Sequence, residues 1–214
     1  MAPIHTYIDY SLLKAKSTRA QVIALCETAV KQGYAAVCIS PAYVALAMET
    51  VAARGPAVCS VIGFPHGLHL PETKLHEAER LSSLGATELD WVINLNQVAN
   101  QEWGSLEQEL QAFQDLCNQR RLVSKVIIES GLLEEKEIEQ LCTICTSLGV
   151  TFVKTSTGFA GVGAELGKVR LMRNLLPASM QIKASGGIRD YETARAFIEA
   201  GATRIGTSTP IVKP

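Results

Sequence analysis

The chain has 214 residues, 47% of them hydrophobic and 19% charged, with a formal net charge of -1; this is ordinary globular composition and enough length for one large core. Dispersed charges of both signs offer no basic footprint for nucleic acid and no polybasic tail for a membrane, which leaves small molecules as the expected partners. No apolar run reaches the roughly 18 residues of a membrane span and the amino terminus lacks a signal-peptide pattern, so a cytoplasmic protein with reduced thiols is expected.

From the amino terminus onward, short β-rich runs alternate with amphipathic helical patterns. The first expected strand is Tyr7–Asp9, and Ser17 is the expected N-cap of a helix that Gly33 closes. A strand over Ala35–Ile39 leads into Ser40-Pro41, a cap followed by proline, opening a segment expected to stop at Gly55. Strands are then expected at Ala57–Ile62, at Glu88–Asn94 after a helix ending at Gly85, at Val123–Ile128, and at Phe152–Thr155 after a helix ending at Gly149. Gln181–Ala184 is the seventh strand, Asp190 caps the helix after it, Gly201 ends that helix, and Arg204–Gly206 is the eighth strand. Three helix-to-strand corners share their wording, as Gly85-Ala-Thr, Gly149-Val-Thr and Gly201-Ala-Thr, which implies one packing problem solved repeatedly.

Eight strands alternating with helices predict an α/β fold, a compact single-domain (β/α)8 barrel over residues 1–214, with an open doubly wound sheet as the alternative. Little chain remains after the eighth strand for a final helix. In a barrel the chemistry collects at the carboxyl ends of the strands. There the seventh strand runs into Ser185-Gly186-Gly187-Ile188-Arg189 and the eighth into Gly206-Thr207-Ser208. Paired glycine turns with free amides beside a helix start favour a phosphate group, although either turn alone would need glycine anyway.

Phe152-Val-Lys-Thr-Ser-Thr-Gly-Phe159 places Lys154 inside an apolar strand, where an ammonium must find a partner, change its protonation state or snorkel to an exposed edge. Lys183 in the seventh strand, Asp90 in the fourth and Lys125 in the fifth raise the same question. A closed barrel has no solvent-facing interior and its outer face is covered by helices, so these residues explain one another if they share one cavity. A desolvated lysine near a second cation is a nucleophile, and a carboxylate can carry protons. Lys154, Lys183 and Asp90 form that set, whereas Lys125 reads better as a structural lysine paired with an acid.

These segments also carry a family resemblance. Val-Ile-Gly-Phe-Pro-His-Gly, Gly-Ala-Thr-Glu-Leu-Asp-Trp-Val-Ile-Asn, Lys-Val-Ile-Ile-Glu-Ser-Gly, the Lys154 string, Ser-Gly-Gly-Ile-Arg and Ala-Gly-Ala-Thr-Arg-Ile-Gly-Thr-Ser stand in the order found in the deoxyribose-phosphate aldolase family, which the chain resembles from Tyr7 almost to its end. The resemblance implies a class I aldolase on a (β/α)8 barrel, with no metal or other cofactor. Such an enzyme reversibly cleaves 2-deoxy-D-ribose 5-phosphate, a step in deoxyribonucleotide catabolism, to acetaldehyde and D-glyceraldehyde 3-phosphate. It implies that Lys154 forms the Schiff base, that Lys183 favours its uncharged amine, and that Asp90 relays protons through water. It further implies substrate positioning by Thr155 and Thr157, and a phosphate held by Gly158, Gly186, Gly187, Gly206 and Ser208. Small barrels of this family often pair, which makes a homodimer one option and leaves the oligomeric state open. Tyr10 and Ser40 depart from the histidine and asparagine usual in the family, as does the wording of Phe159 to Gly167. The tyrosine that longer relatives carry at their carboxyl end has no counterpart here.

Other motifs read as ordinary packing. Cys142 and Cys145 have CxxC spacing but lie within a helical apolar stripe, with no second pair to complete a zinc site. His66, His69, His76 and Glu72 cluster in sequence, yet Pro71 prevents one helix from aligning them, so no metal is expected; His66 is a candidate for the barrel mouth. Cys38 reads as a packed core thiol. Two rivals remain: a Schiff-base aldolase acting on another sugar phosphate, and a sugar-phosphate binding barrel without chemistry.

Overall fold

The computed structural model describes residues 2–52 and 55–212. Eight parallel strands close in sequence order: β1 (Ile8–Leu12), β2 (Ala36–Ile39), β3 (Ala57–Ile62), β4 (Glu88–Val92), β5 (Val123–Ile127), β6 (Phe152–Lys154), β7 (Gln181–Ser185) and β8 (Arg204–Thr207), which returns to pair with β1. The crossovers are α1 (Arg19–Gln32), α2 (Val44–Val51), α3 (Pro71–Ser83), the successive α4 (Leu95–Ala99) and α5 (Trp103–Arg120), α6 (Glu135–Leu148), α7 (Leu166–Leu175) and α8 (Tyr191–Glu199). The closed barrel expected from the alternation is therefore present, and the open sheet is not.

The expected strands shift by up to three residues at their ends. A 3-10 turn over Ile4–Tyr7 takes up Tyr7, so β1 starts at Ile8 and runs on to Leu12. Ser17 is not the first cap. Thr18 is, through a reciprocal capping box with Gln21 that satisfies two helix-end groups at once. Asp190 does cap α8, accepting from the Thr193 N–H at 2.8 Å. Gly55 does not directly terminate α2: Ala52 takes a positive φ of 48° immediately after the helix.

The shared corner wording reflects a shared structure. Gly33, Gly85, Gly149 and Gly201 all have positive φ, and the residue after each donates its N–H to the carbonyl five positions back, Tyr34 to Ala29, Ala86 to Leu81, Val150 to Cys145 and Ala202 to Phe197. Glycine supplies the left-handed step that a Cβ would oppose, and the buried residue after it turns the chain under the helix into the next strand.

Period-two alternation sorts each strand into an outer and an inner face. Leu89, Trp91, Val126, Val153, Ile182 and Ile205 belong to the large apolar core between the barrel and its helices. That core also fixes α3 and α5 over β4: buried Lys74 bonds Glu109 and the Val92 carbonyl, and lies over the Trp91 ring at 4.5 Å. The inner face is different. Beside Phe152, Val92, Ile127 and a small group of Cys38, Cys59 and Val61, it carries a cluster of buried charged side chains.

Candidate active site

At the centre lies Asp90, fully buried on β4. Its Oδ1 accepts from the Lys125 ammonium at 2.8 Å and from the Cys59 thiol at 3.0 Å, and its Oδ2 accepts from Lys154 at 2.7 Å and Lys183 at 2.8 Å. Strand register produces this convergence, since Asp90 stands opposite Lys125 on β5 and Lys154 opposite Lys183 on β7. The three residues read from the sequence as a set are thus one bonded cluster. Lys125 joins it from below, also paired with Glu88 at 2.6 Å, and does not line the cavity.

Three further charges complete the interior. Asp9 on β1 pairs with Lys183; Glu88 accepts from Arg204 at 3.1 Å; and the Arg204 guanidinium faces the Phe152 ring at 5.3 Å. Sequence reasoning missed these partners, although Glu88 lies two residues before Asp90 and so on the same strand face, a signal that could have found it. Among the described residues the inner set is Asp9, Glu88 and Asp90 against Lys125, Lys154, Lys183 and Arg204.

Burial alone would raise the Asp90 carboxyl, but Lys125, Lys154 and Lys183 more than reverse that and hold it well below the usual carboxylate range. For Lys183, burial disfavours the charge, yet Asp9 and Asp90 outweigh it and push the ammonium up, so it stays charged. Lys125 is pushed up in the same way against its burial, chiefly by Asp90. Lys183 is therefore a fixed cation beside Lys154.

Above this cluster, at the carboxyl ends of the strands, opens a cavity of about 230 Å³. Lys154 and Lys183 form part of its wall, with Thr157, Gly158, Gly186, Gly187, Gly206 and Ser208 around it, and Lys14 and Arg189 add two cations at the rim. Lys14 and Arg189 were not singled out from the sequence. Thr155 takes a different place: it is fully buried, and its hydroxyl donates to the Ser185 carbonyl and accepts from the Ser185 N–H, both at 3.0 Å, so it ties β6 to β7 and does not line the cavity. The unusual Phe159 to Gly167 stretch folds against the Gly186 turn, where Ala164 donates to the Gly186 carbonyl at 3.1 Å. A Cβ on Gly163 would lie 2.3 Å from that carbonyl oxygen, which is why glycine stands at 163.

Two of the departures from the family pattern, Tyr10 and Ser40, fall away from the lysines, whereas Phe159 lines the same cavity as Lys154 and Lys183. Tyr10 packs on the outer face, edge-on to Tyr34 at 5.8 Å. Ser40 lines a second, more apolar cavity of about 550 Å³ that adjoins the first at Leu13, Lys14 and Phe159. Cys38 is 1% exposed yet lines the first cavity. His66 is exposed and lines neither cavity, and among the described residues His66, His69, His76 and Glu72 form no ligand cluster. Two buried donor sets do exist, Cys38–Cys59–Asp90 and Asp9–Cys59–Glu88. Their carboxylates already face lysine or arginine nitrogens, so a metal ion there would meet like charge. In α6, burial pushes the Cys142 thiol up to about 12 and the Cys145 thiol up as well, as packing residues require.

A closed (β/α)8 barrel with a buried amine cluster opening at the carboxyl ends of its strands is the layout of a barrel enzyme. Residues 4–209 match the model of the DeoC/LacD family of aldolases, and the chain belongs to that family. It is 45% identical over 205 residues to a deoxyribose-phosphate aldolase of Mannheimia succiniciproducens, covering 96% of this chain and 91% of the relative, and 44% identical to one of a Geobacillus strain, covering 95% and 91%. Among solved structures it superposes on an aldolase called QR15 with a TM-score of 0.92 at 40% identity, covering 98% of this chain and 93% of that one. The tetrameric deoxyribose phosphate aldolase from Aeropyrum pernix gives 0.90 at 34% identity, covering 96% and 87%. No helix among the described residues is long and apolar enough to cross a membrane.

Proposed function

We propose that residues 1–214 act as one catalytic unit, a class I aldolase that reversibly cleaves 2-deoxy-D-ribose 5-phosphate to acetaldehyde and D-glyceraldehyde 3-phosphate through an imine on Lys154. One observation carries the reading: Lys154 and Lys183 both reach the cavity on the same Asp90 oxygen, and Lys183 has a second carboxylate, Asp9, holding its charge while Lys154 has none.

The steps follow from the groups present. The Lys154 amine, without its proton, attacks the sugar aldehyde carbon; the carbinolamine loses water to give an iminium. Loss of the C3 hydroxyl proton breaks the C2–C3 bond, the electron pair flows into the iminium as an enamine, and D-glyceraldehyde 3-phosphate leaves. Protonation of the enamine carbon and hydrolysis release acetaldehyde and restore the lysine. Attack needs one positive charge fewer on Lys154, and its removal leaves three cations facing three carboxylates in the interior. We assign Asp90, whose Oδ2 bonds Lys154, the proton relay through a water at the imine, with Lys183 as the neighbouring cation. The amides of Gly186, Gly187, Gly206 and Ser208, with the Lys14 and Arg189 charges nearby, suit a phosphate dianion at the rim. Thr157 and Gly158 shape the wall beside the imine. Thr155 acts indirectly, by fixing Ser185.

The relatives' names support the substrate, and a cytoplasmic homodimer is the setting we assign; sedimentation of the purified protein tests the assembly. The chemistry is tested by incubation with acetaldehyde, borohydride reduction and peptide mass spectrometry. An ethyl group on Lys154, absent in Lys154→Ala, is expected, together with cleavage of deoxyribose 5-phosphate. An adduct formed only with dihydroxyacetone phosphate would favour a ketose-phosphate aldolase, and binding without any adduct would leave a sugar-phosphate binding barrel.

A further inference from the structure

Glu129 stands just beyond β5, buried at 3% exposure, with its backbone in the left-handed region at φ 53° and ψ 51°. Side chains other than glycine rarely adopt that conformation, and it persists only where the surroundings hold it. Here they do so on both sides: the Ile128 N–H donates to the Lys154 carbonyl at 3.0 Å and the Ser130 N–H donates to the Thr155 carbonyl at 2.7 Å. The left-handed step between these two bonds turns the Glu129 side chain across the end of β6. Its two oxygens accept from the Thr157 N–H at 3.2 and 3.1 Å, and Oε2 accepts from the Thr157 hydroxyl at 2.5 Å.

The hydrogen-bond directions have a chemical consequence. A carboxylate has no proton to donate, so the single proton of the Thr157 hydroxyl is committed to Glu129. One oxygen lone pair of that hydroxyl already accepts from the Phe159 N–H at 3.1 Å. The remaining lone pair is free, and Thr157 lines the cavity beside Lys154. We infer that Glu129 is a positioning residue that makes Thr157 a pure hydrogen-bond acceptor, selecting substrates that bring a donor hydroxyl to this wall of the site. This rests on the sugar-phosphate reading and specifies which face of the sugar is recognised: a hydroxyl belongs here, and a carbonyl or ether oxygen would be repelled.

Glu129→Gln tests the direction with little change in volume. The amide oxygen still accepts from the Thr157 N–H, but its NH₂ now donates to the Thr157 oxygen, forcing the hydroxyl proton toward the cavity. We expect kcat/KM for deoxyribose 5-phosphate cleavage to fall about tenfold, the value of one misdirected hydrogen bond. Imine trapping of acetaldehyde on Lys154 should stay within about twofold of wild type, because acetaldehyde brings no hydroxyl. Thr157→Val should reproduce the loss, Thr157→Ser should restore activity, and Glu129→Gln should add little in the Thr157→Val background; these threonine variants decide the question even if the Glu129 variant folds poorly. Equal losses in cleavage and trapping, undiminished loss in the double variant, or no loss at all would overturn the role. Wild-type protein that cleaves no deoxyribose phosphate refutes the functional reading itself, whereas active wild type with an unchanged Glu129→Gln refutes only the role of Glu129.

Discussion

Lys154→Met and Lys183→Met remove neighbouring buried lysines of the same size, yet the structure predicts very different effects on stability. The interior sets four cations against three carboxylates. Losing Lys154 leaves that count balanced, and Asp90 keeps Lys125, Lys183 and the Cys59 thiol. Losing Lys183 balances the count as well, but the geometry differs. Lys183 is the close partner of Asp9, whose other oxygen has no partner at all, while Arg204 is 4.0 Å away. Breaking a buried pair and leaving one charge uncompensated costs about 3–5 kcal/mol, whereas the Lys154 change should stay within about 1 kcal/mol. For a chain of this length, where 1 kcal/mol moves Tm by about 2–4 °C, Lys183→Met should melt roughly 6–20 °C below wild type and Lys154→Met within about 4 °C of it. Calorimetry measures both, with borohydride trapping on the same samples to show that each variant has lost imine formation on Lys154 or slowed it. If Lys154→Met unfolds as early as Lys183→Met, the reading of Lys154 as the one cation the interior can spare is wrong.

The pH dependence has a definite sign. Asp90 and Asp9 are buried, which opposes ionisation, but the facing lysines lower both; their contribution is present above the unfolded value of about 3.9 and lost as pH falls toward the lower folded values. Lys125 and Lys183 are raised, so theirs is complete below about 10.4 and lost only at higher pH. The urea midpoint should therefore be level from about pH 5 to 8 and fall below about pH 4, and a decline already between pH 7 and 5 would contradict this account. Gly206→Ala would bring a Cβ to 2.7 Å from the Ser185 Cβ and 3.2 Å from the Lys183 Cε; it should raise KM for the phosphorylated substrate and lower kcat, and unchanged kinetics would remove Gly206 from the site. Cys142 and Cys145, buried in α6 with raised thiols, should be alkylated by iodoacetamide only after unfolding. Mass spectrometry of the labelled native protein shows this directly, and rapid native labelling would revive a reactive CxxC.

Much of this protein is decided by local chemistry. Strand and helix alternation, the glycine corners and the Asp190 cap are short-range events, so the chain alone determines eight strands, a parallel barrel and the placing of Lys154, Lys183 and Asp90 within strands. Tertiary structure decided what those charges face. Asp9 and Lys183 are 174 positions apart and meet only because β8 closes on β1, bringing β7 within reach of β1 side chains across the interior. Thr155 and Thr157 look equivalent in sequence, but one points into a strand-to-strand bond and the other into the cavity, a choice made by how β6 ends against Ser185 and Glu129. Glu129 stands in the Lys-Val-Ile-Ile-Glu-Ser-Gly string, but the chain gives no sign of its role, because its left-handed turn is held by bonds to the Lys154 and Thr155 carbonyls. Sequence thus determines which groups are available on each strand, and closure of the barrel determines which of them share a proton, because hydrogen-bond partners here are set by distance across the interior and not along the chain.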